Sequence, residues 1–183
     1  MPLPTLADLV SLPATDHPEL VARPTARALP AWPDAPSVAV IEIDPDLADT
    51  AALTEAYGLP AEGSGNCVVV SGARKGEERI AACVVPADSR ADINSLVKRL
   101  LDVRKASFLP MDRAVEESGM EYGGITPVGL PEGWRVLVDA RLLTVERVVI
   151  GSGLRRSKLL LPGSALASLP GVEIIEGLGK PIS

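Results

Sequence analysis

Eight short apolar runs, each closed by glycine, proline or a charged turn, limit what this chain can fold into. They are VAVIEI (38–43), CVVVSG (67–72), ERIAACVVP (78–86), ASFLP (106–110), WRVLVD (134–139), RVVIGSG (147–153), SKLLLP (157–162) and VEIIE (172–176). Most are rich in β-branched residues and too short for buried helices, so they read as strands. Helical patterns fall between them. Residues 44–60, DPDLADTAALTEAYGLP, predict a helix with Asp44 as cap, Pro45 in its first turn, and Gly58 with Pro60 at its end. Asp92 opens a second, in which Ile93, Leu96, Val97, Leu100 and Leu101 form an apolar stripe. MDRAVEESG (111–119) predicts a third, capped by Asp112 and stopped by Gly119, and a fourth lies near 164–169. Strands mostly joined by hairpins and interrupted by helices give an α+β domain around a mixed, largely antiparallel sheet.

Aromatic residues make up only 3% of the 183 residues, so the core must be built from Val, Leu, Ile and Ala. Nine of the 17 prolines precede residue 46, which marks residues 1–36 as a proline-rich arm packed over a domain at 37–183. Short helical pieces are expected in the arm at LADLV and PELVA. No apolar run reaches membrane-spanning length, and the start lacks the charged-then-apolar layout of a signal peptide, so the reading is a cytoplasmic protein with no membrane partner.

A net charge of −6 argues against a general nucleic-acid coat but leaves room for a local basic site, such as Arg155, Arg156 and Lys158. His17 is the only histidine, which is hostile to a Ser-His-Asp hydrolase and excludes a multi-histidine metal site. Cys67 and Cys83 lack metal-ligand spacing. They sit in apolar runs as core residues, and a hairpin centred near Lys75 would let them face each other.

The chemistry-bearing segment is YGGITPVGLP, residues 122–131, with three glycines, two prolines and no charge. Gly123, Gly124 and Gly129 permit unusual backbone angles and close approach, while Pro127 and Pro131 stiffen the loop. Such a loop either joins a helix to a strand tightly or holds peptide N–H groups around an anion.

Residues 119–143, GMEYGGITPVGLPEGWRVLVDARLL, resemble the signature of the YbaK/EbsC family of aminoacyl-tRNA deacylases and prolyl-tRNA editing domains. The likeness extends upstream through SRADINSLVKRLLDVRKASF and downstream through VVIGSGLRRSKLLLPGSALASLPGVEII. The resemblance implies a curved, partly barrel-like mixed sheet with helices outside, and hydrolysis of the ester that links a wrong amino acid to a tRNA 3′ end. It needs no cofactor and no metal, and its partners are the aminoacylated tRNA end and, in one reading, a synthetase.

By that resemblance Gly123, Gly124, Ile125, Thr126 and Pro127 form the loop that holds the aminoacyl end, Asp139 is the family's strand aspartate, and Gly151, Ser152 and Gly153 form the glycine-bearing strand end. Arg155, Arg156 and Lys158 would meet the acceptor-stem backbone. Asn66 stands where active relatives carry a lysine, and Asn66→Lys is expected to raise the rate. For Asp139, a simple cap on the turn at Ala140 is an equal alternative. Two functions stay open: a trans-acting deacylase for a small amino acid, and a catalytically weak module that binds aminoacyl-tRNA ends or a synthetase.

Overall fold

A computed structural model describes residues 2–182. Its strands are β1 (Leu12–Pro13), β2 (Ala39–Glu42), β3 (Gly65–Arg74), β4 (Glu77–Pro86), β5 (Ser89–Ala91), β6 (Ala106–Phe108), β7 (Arg135–Asp139), β8 (Val148–Gly151), β9 (Ser157–Leu161), β10 (Val172–Ile175) and β11 (Gly179–Pro181). Its α-helices are α1 (Arg23–Ala28), α2 (Thr50–Tyr57), α3 (Lys98–Leu101) and α4 (Met111–Ser118).

One sheet has the order β1-β2-β9-β8, a second β10-β7-β4-β3-β6, and β11 pairs with β5. Two pairings, β10–β7 and β7–β4, are parallel and the rest antiparallel. This is the mixed, mainly antiparallel α+β architecture that the apolar runs predict. The sheets do not close into a barrel. They touch through an isolated parallel bridge between Ser64 and Val149, which brings the start of β3 beside β8.

Side-chain alternation along the strands makes two-sided sheets. Val40, Leu159, Leu161 and Ile150 of the first sheet meet Val84, Val136 and Val138 of the second in the main core. The opposite face of the first sheet, Ile41, Val149 and Leu160, is covered by Leu53 of α2. The far face of the second, Val70, Ala81, Cys83 and Leu137, is covered by Val97 and Leu101.

The 1–36 segment does more than lie over this assembly. Ala14, Leu20, Val21, Leu29 and Trp32 belong to the main core, and β1 extends the first sheet. The Trp32 indole donates to the Ala165 carbonyl at 3.0 Å, tying the segment to the far end of the chain. PELVA supplies a 3-10 turn at Pro18–Leu20, whereas Leu6 and Leu9 of LADLV are joined by a bridge.

Several local expectations need correction. The helix predicted from Asp44 is split: Asp44 caps only the 3-10 turn Pro45–Leu47. Asp49 then accepts from the Ala51 and Ala52 amides and starts α2 afresh, which ends at Gly58 with φ +62° as foreseen. Asp92 makes no side-chain cap, and its helix opens with a π turn over Ile93–Val97 before α3. Pro110, not Asp112, is the cap residue of α4, while Gly119 closes it at φ +69°. Residues Gly163–Ser168 wind as a 3-10 helix.

The β3–β4 hairpin turns at Lys75 and Gly76, whose φ angles of +52° and +79° suit a two-residue turn. Its register pairs Cys67 with Val84 and Val68 with Cys83. Directly paired residues share a face and neighbours alternate, so the two cysteines project from opposite faces and do not meet.

Candidate active site

The bridge between Ser64 and Val149 leaves a cavity of about 350 Å³ beside it. Its walls come from the start of α2, the first residues of β3, the 122–125 loop, the end of β8, and the β8–β9 turn with the first half of β9. Of the residues singled out from sequence, Asn66, Gly123, Ile125, Gly151, Arg155 and Lys158 line it.

The glycines explain how the loop comes so near. The Glu121 amide donates to Gly153 O at 2.8 Å, and the Gly153 amide donates to Gly124 O at 2.7 Å. A Cβ on Gly151 would stand 2.5 Å from the carbonyl oxygens of Gly124 and Ile125. One on Gly124 would stand 2.8 Å from the Leu154 backbone. Loop and turn therefore interlock backbone to backbone, which only glycine allows. Gly123 adopts φ +77°, and a Cβ there would meet the Arg155 guanidinium at 2.5 Å. Among the described residues the Gly123 and Ile125 amides have no protein acceptor, and both residues line the cavity.

The second half of the loop turns inward. Thr126 is fully buried, and its hydroxyl receives the Val128 amide at 3.5 Å. Thr25 donates to Val128 O at 2.9 Å, and Gly129 packs on the Pro24 carbonyl. Thr126 and Pro127 thus lie outside the cavity wall and anchor the loop on the N-terminal segment. Ser152 is also buried, its hydroxyl 2.7 Å from that of Ser157, and Gly153 packs on Ala22.

The aminoacyl-tRNA editing domain family matches residues 44–169, a span that contains every cavity residue named so far. The chain belongs to the aminoacyl-tRNA editing domain family. No curated protein matches the sequence. A structure described as a proposed trans-editing enzyme for prolyl-tRNA synthetase superposes with a TM-score of 0.72 at 21% identity, covering 86% of this chain and 96% of that one. The hypothetical protein APE2540 superposes with a TM-score of 0.67 at 23% identity, covering 77% and 90%. These likenesses show the fold.

In this editing domain the three basic residues after β8 part company. Arg156 donates to Glu19 O at 2.6 Å on the N-terminal segment. Arg155 is half-buried on the cavity wall, bonded to the Tyr122 and Pro45 carbonyls at 3.1 Å each, with its guanidinium 5.9 Å from the Tyr122 ring centre. Lys158 goes inside: only 6% exposed, it donates from Nζ to Ala48 O at 3.0 Å. Burial, and then the neighbouring positive charge of Arg155, lower its pKa to about 8 against an opposing pull from Asp49.

Asn66 is held by Thr50, whose hydroxyl donates to Asn66 Oδ1 at 2.5 Å. Ser64 borders the same space, and its buried hydroxyl has no hydrogen-bond partner among the described residues. Burial pushes the Cys67 thiol far up, and pushes Cys83 up to about 12, so neither is a thiolate nucleophile at neutral pH.

Asp139 is placed elsewhere, at the end of β7, away from the cavity wall. Its carboxylate accepts the Arg141 amide at 2.9 Å, the Arg141 guanidinium at 2.9 and 3.1 Å, and the Gly179 amide at 2.8 Å. Burial raises its pKa, but these bonds outweigh that and hold it below the usual carboxylate value. The cap on the turn at Ala140 is what the geometry shows.

Thr50, Ser64 and the interior position of Lys158 escaped the sequence reading. The available signal was a lysine set directly before LLLP in an apolar strand.

Proposed function

We propose that this editing domain hydrolyses the ester between a small, wrongly attached amino acid and the 3′ end of a tRNA, acting in trans. The observation that carries the reading is the cavity itself. It joins a backbone-lined loop with two unpaired amides to polar residues from distant parts of the chain, inside a domain of the editing family.

Its volume of about 350 Å³ lies near the low end of the roughly 300–1,000 Å³ typical of ligand sites, which suits a ribose with a short side chain. Leu53, Val149 and Ile150 give that end an apolar wall. At the mouth, Tyr122 is 61% exposed and offers a face on which a terminal base stacks. Arg155 beside it suits a phosphate, and such a contact makes binding weaken as salt rises.

Hydrolysis needs a placed ester, an attacking water and donors for the carbonyl oxygen as it becomes negative. The Gly123 and Ile125 amides supply donors without any histidine. The test is amino-acid release from a panel of tRNAs mischarged with alanine, serine, glycine and cysteine. Release above the buffer rate for at least one is expected. Tight binding without release across the panel would replace this reading by the catalytically weak binding module.

A further inference from the structure

We propose that Lys158 is the catalytic cation of this site, its ammonium facing the negative charge that forms on the ester carbonyl oxygen. The inference rests on the editing reading above and adds a residue to it. Lys158 sits on β9, the strand between β2 and β8, where an apolar side chain would be the ordinary occupant. An ammonium carries three donors, and Ala48 O satisfies one. Among the described residues no carboxylate stands within 4.0 Å of it. A buried cation without a counter-charge is costly, so a site that keeps one awaits an anion from its ligand.

The surroundings agree. Asp49 is the carboxylate on the cavity wall, and its Oδ1 is already taken by the Ala51 and Ala52 amides. The remaining titratable or charged groups on the wall are Arg155 from the β8–β9 turn, Tyr122 from the loop and Cys67 from β3, with no second carboxylate among them. Ser64, whose hydroxyl has no partner, and Gly123 and Ile125, whose amides have no acceptor among the described residues, belong to the same wall. Donors for a negative oxygen are thus gathered where acceptors are scarce.

Depth assigns the charge to the reacting end. Arg155 is half-buried beside the exposed Tyr122, where the RNA backbone enters, whereas Lys158 is buried, where the acyl group arrives. Water attacks the carbonyl carbon and the C=O electron pair moves onto oxygen, opposite the ammonium. The tetrahedral species then collapses and the bond to the ribose oxygen breaks. The proton lost by the attacking water ends on that ribose oxygen, giving a free amino acid and an unacylated tRNA. Lys158 stays protonated throughout.

Two measurements test this. The first compares binding of two adenosine probes, one with a neutral 3′-aminoacylamide and one with an anionic 3′-aminophosphonate mimic of the tetrahedral species. Wild type is expected to favour the phosphonate by about 100-fold. Lys158→Met should remove that preference while holding the amide within about threefold, and Lys158→Arg should keep part of it. Equal binding of both probes by the wild type overturns the proposal, and it does so whichever tRNA is the substrate.

The second follows release from the best tRNA of the panel. Lys158→Met should lower kcat by about 100-fold with KM little changed, the size of a lost oxyanion donor. With spontaneous release subtracted, wild-type kcat should fall as pH rises through 8. A KM effect alone would make Lys158 a phosphate contact, and a kcat that climbs through pH 8 would make it a general base. Either result overturns the assignment. If no tRNA on the panel is deacylated, the editing reading fails, and the probe comparison still decides whether Lys158 binds an anion.

Discussion

Lys158 Nζ donates to the Ala48 carbonyl at 3.0 Å, and the next residue, Asp49, is the cap that starts α2. The buried ammonium is therefore tied to backbone, while Asp49 Oδ1 caps a helix end. Such an arrangement stabilises a ligand better than it stabilises the fold.

Its stability consequence has a definite sign. The folded pKa of about 8 lies below the ordinary 10.5, so between those values the unfolded chain binds more protons than the folded one. Stability should rise with pH across that window and level off above it. Lys158→Met should raise stability at pH 7 by roughly 1–3 kcal/mol and abolish the rise. Urea unfolding at several pH values between 7 and 10.5 measures both. A flat wild-type profile would show that the ammonium is better solvated than its burial indicates.

Asp139 carries the opposite dependence. Its pKa is held below the usual 3.8, so its stabilising contribution is present above about pH 4 and is lost as pH falls through the folded value. Asp139→Asn leaves the Arg141 guanidinium and the Gly179 amide without their anionic partner. It should cost roughly 2–4 kcal/mol by denaturant unfolding. kcat of the folded fraction should stay within about twofold. A kcat loss of tenfold or more at full folding would return Asp139 to the chemistry.

The N-terminal segment makes the same kind of claim about folding. Deleting residues 2–36 removes Leu29 and Trp32 from the main core and uncovers Gly129 and Gly153, so the remainder should fail to unfold cooperatively. Trp32→Ala in the full chain should cost roughly 3–5 kcal/mol. A truncated chain with an intact calorimetric transition would show that 37–182 folds alone.

These predictions also show where sequence was informative. Strands are legible because β-branched runs and turn residues act locally, and the helix stops at Gly58 and Gly119 rest on a backbone angle that glycine supplies by itself. Other features depend on partners far along the chain. Whether Cys67 meets Cys83 turns on a one-residue register, and Lys158 reads as surface charge until β2 and β8 flank it. The glycine loop could be noticed, but its interlock with Gly151 and Gly153 needs strands from elsewhere. The arm's composition suggested a cover, whereas Trp32 and Leu29 are buried because the two sheets leave them a place.

The Asn66 position gives the final prediction. Asn66 and Lys158 line one cavity from β3 and β9, so a lysine at either position brings an ammonium to the same space. Asn66→Lys alone would set two cations together and free Thr50 from its 2.5 Å bond, which should lower the rate rather than raise it. In Lys158→Asn, by contrast, adding Asn66→Lys should recover at least about tenfold of the lost kcat, since one cation is restored. A double-mutant cycle on the best tRNA of the panel reads the coupling directly. Additive effects of the two substitutions would mean that the positions do different jobs, and that the charge at Lys158 is not interchangeable with one at Asn66.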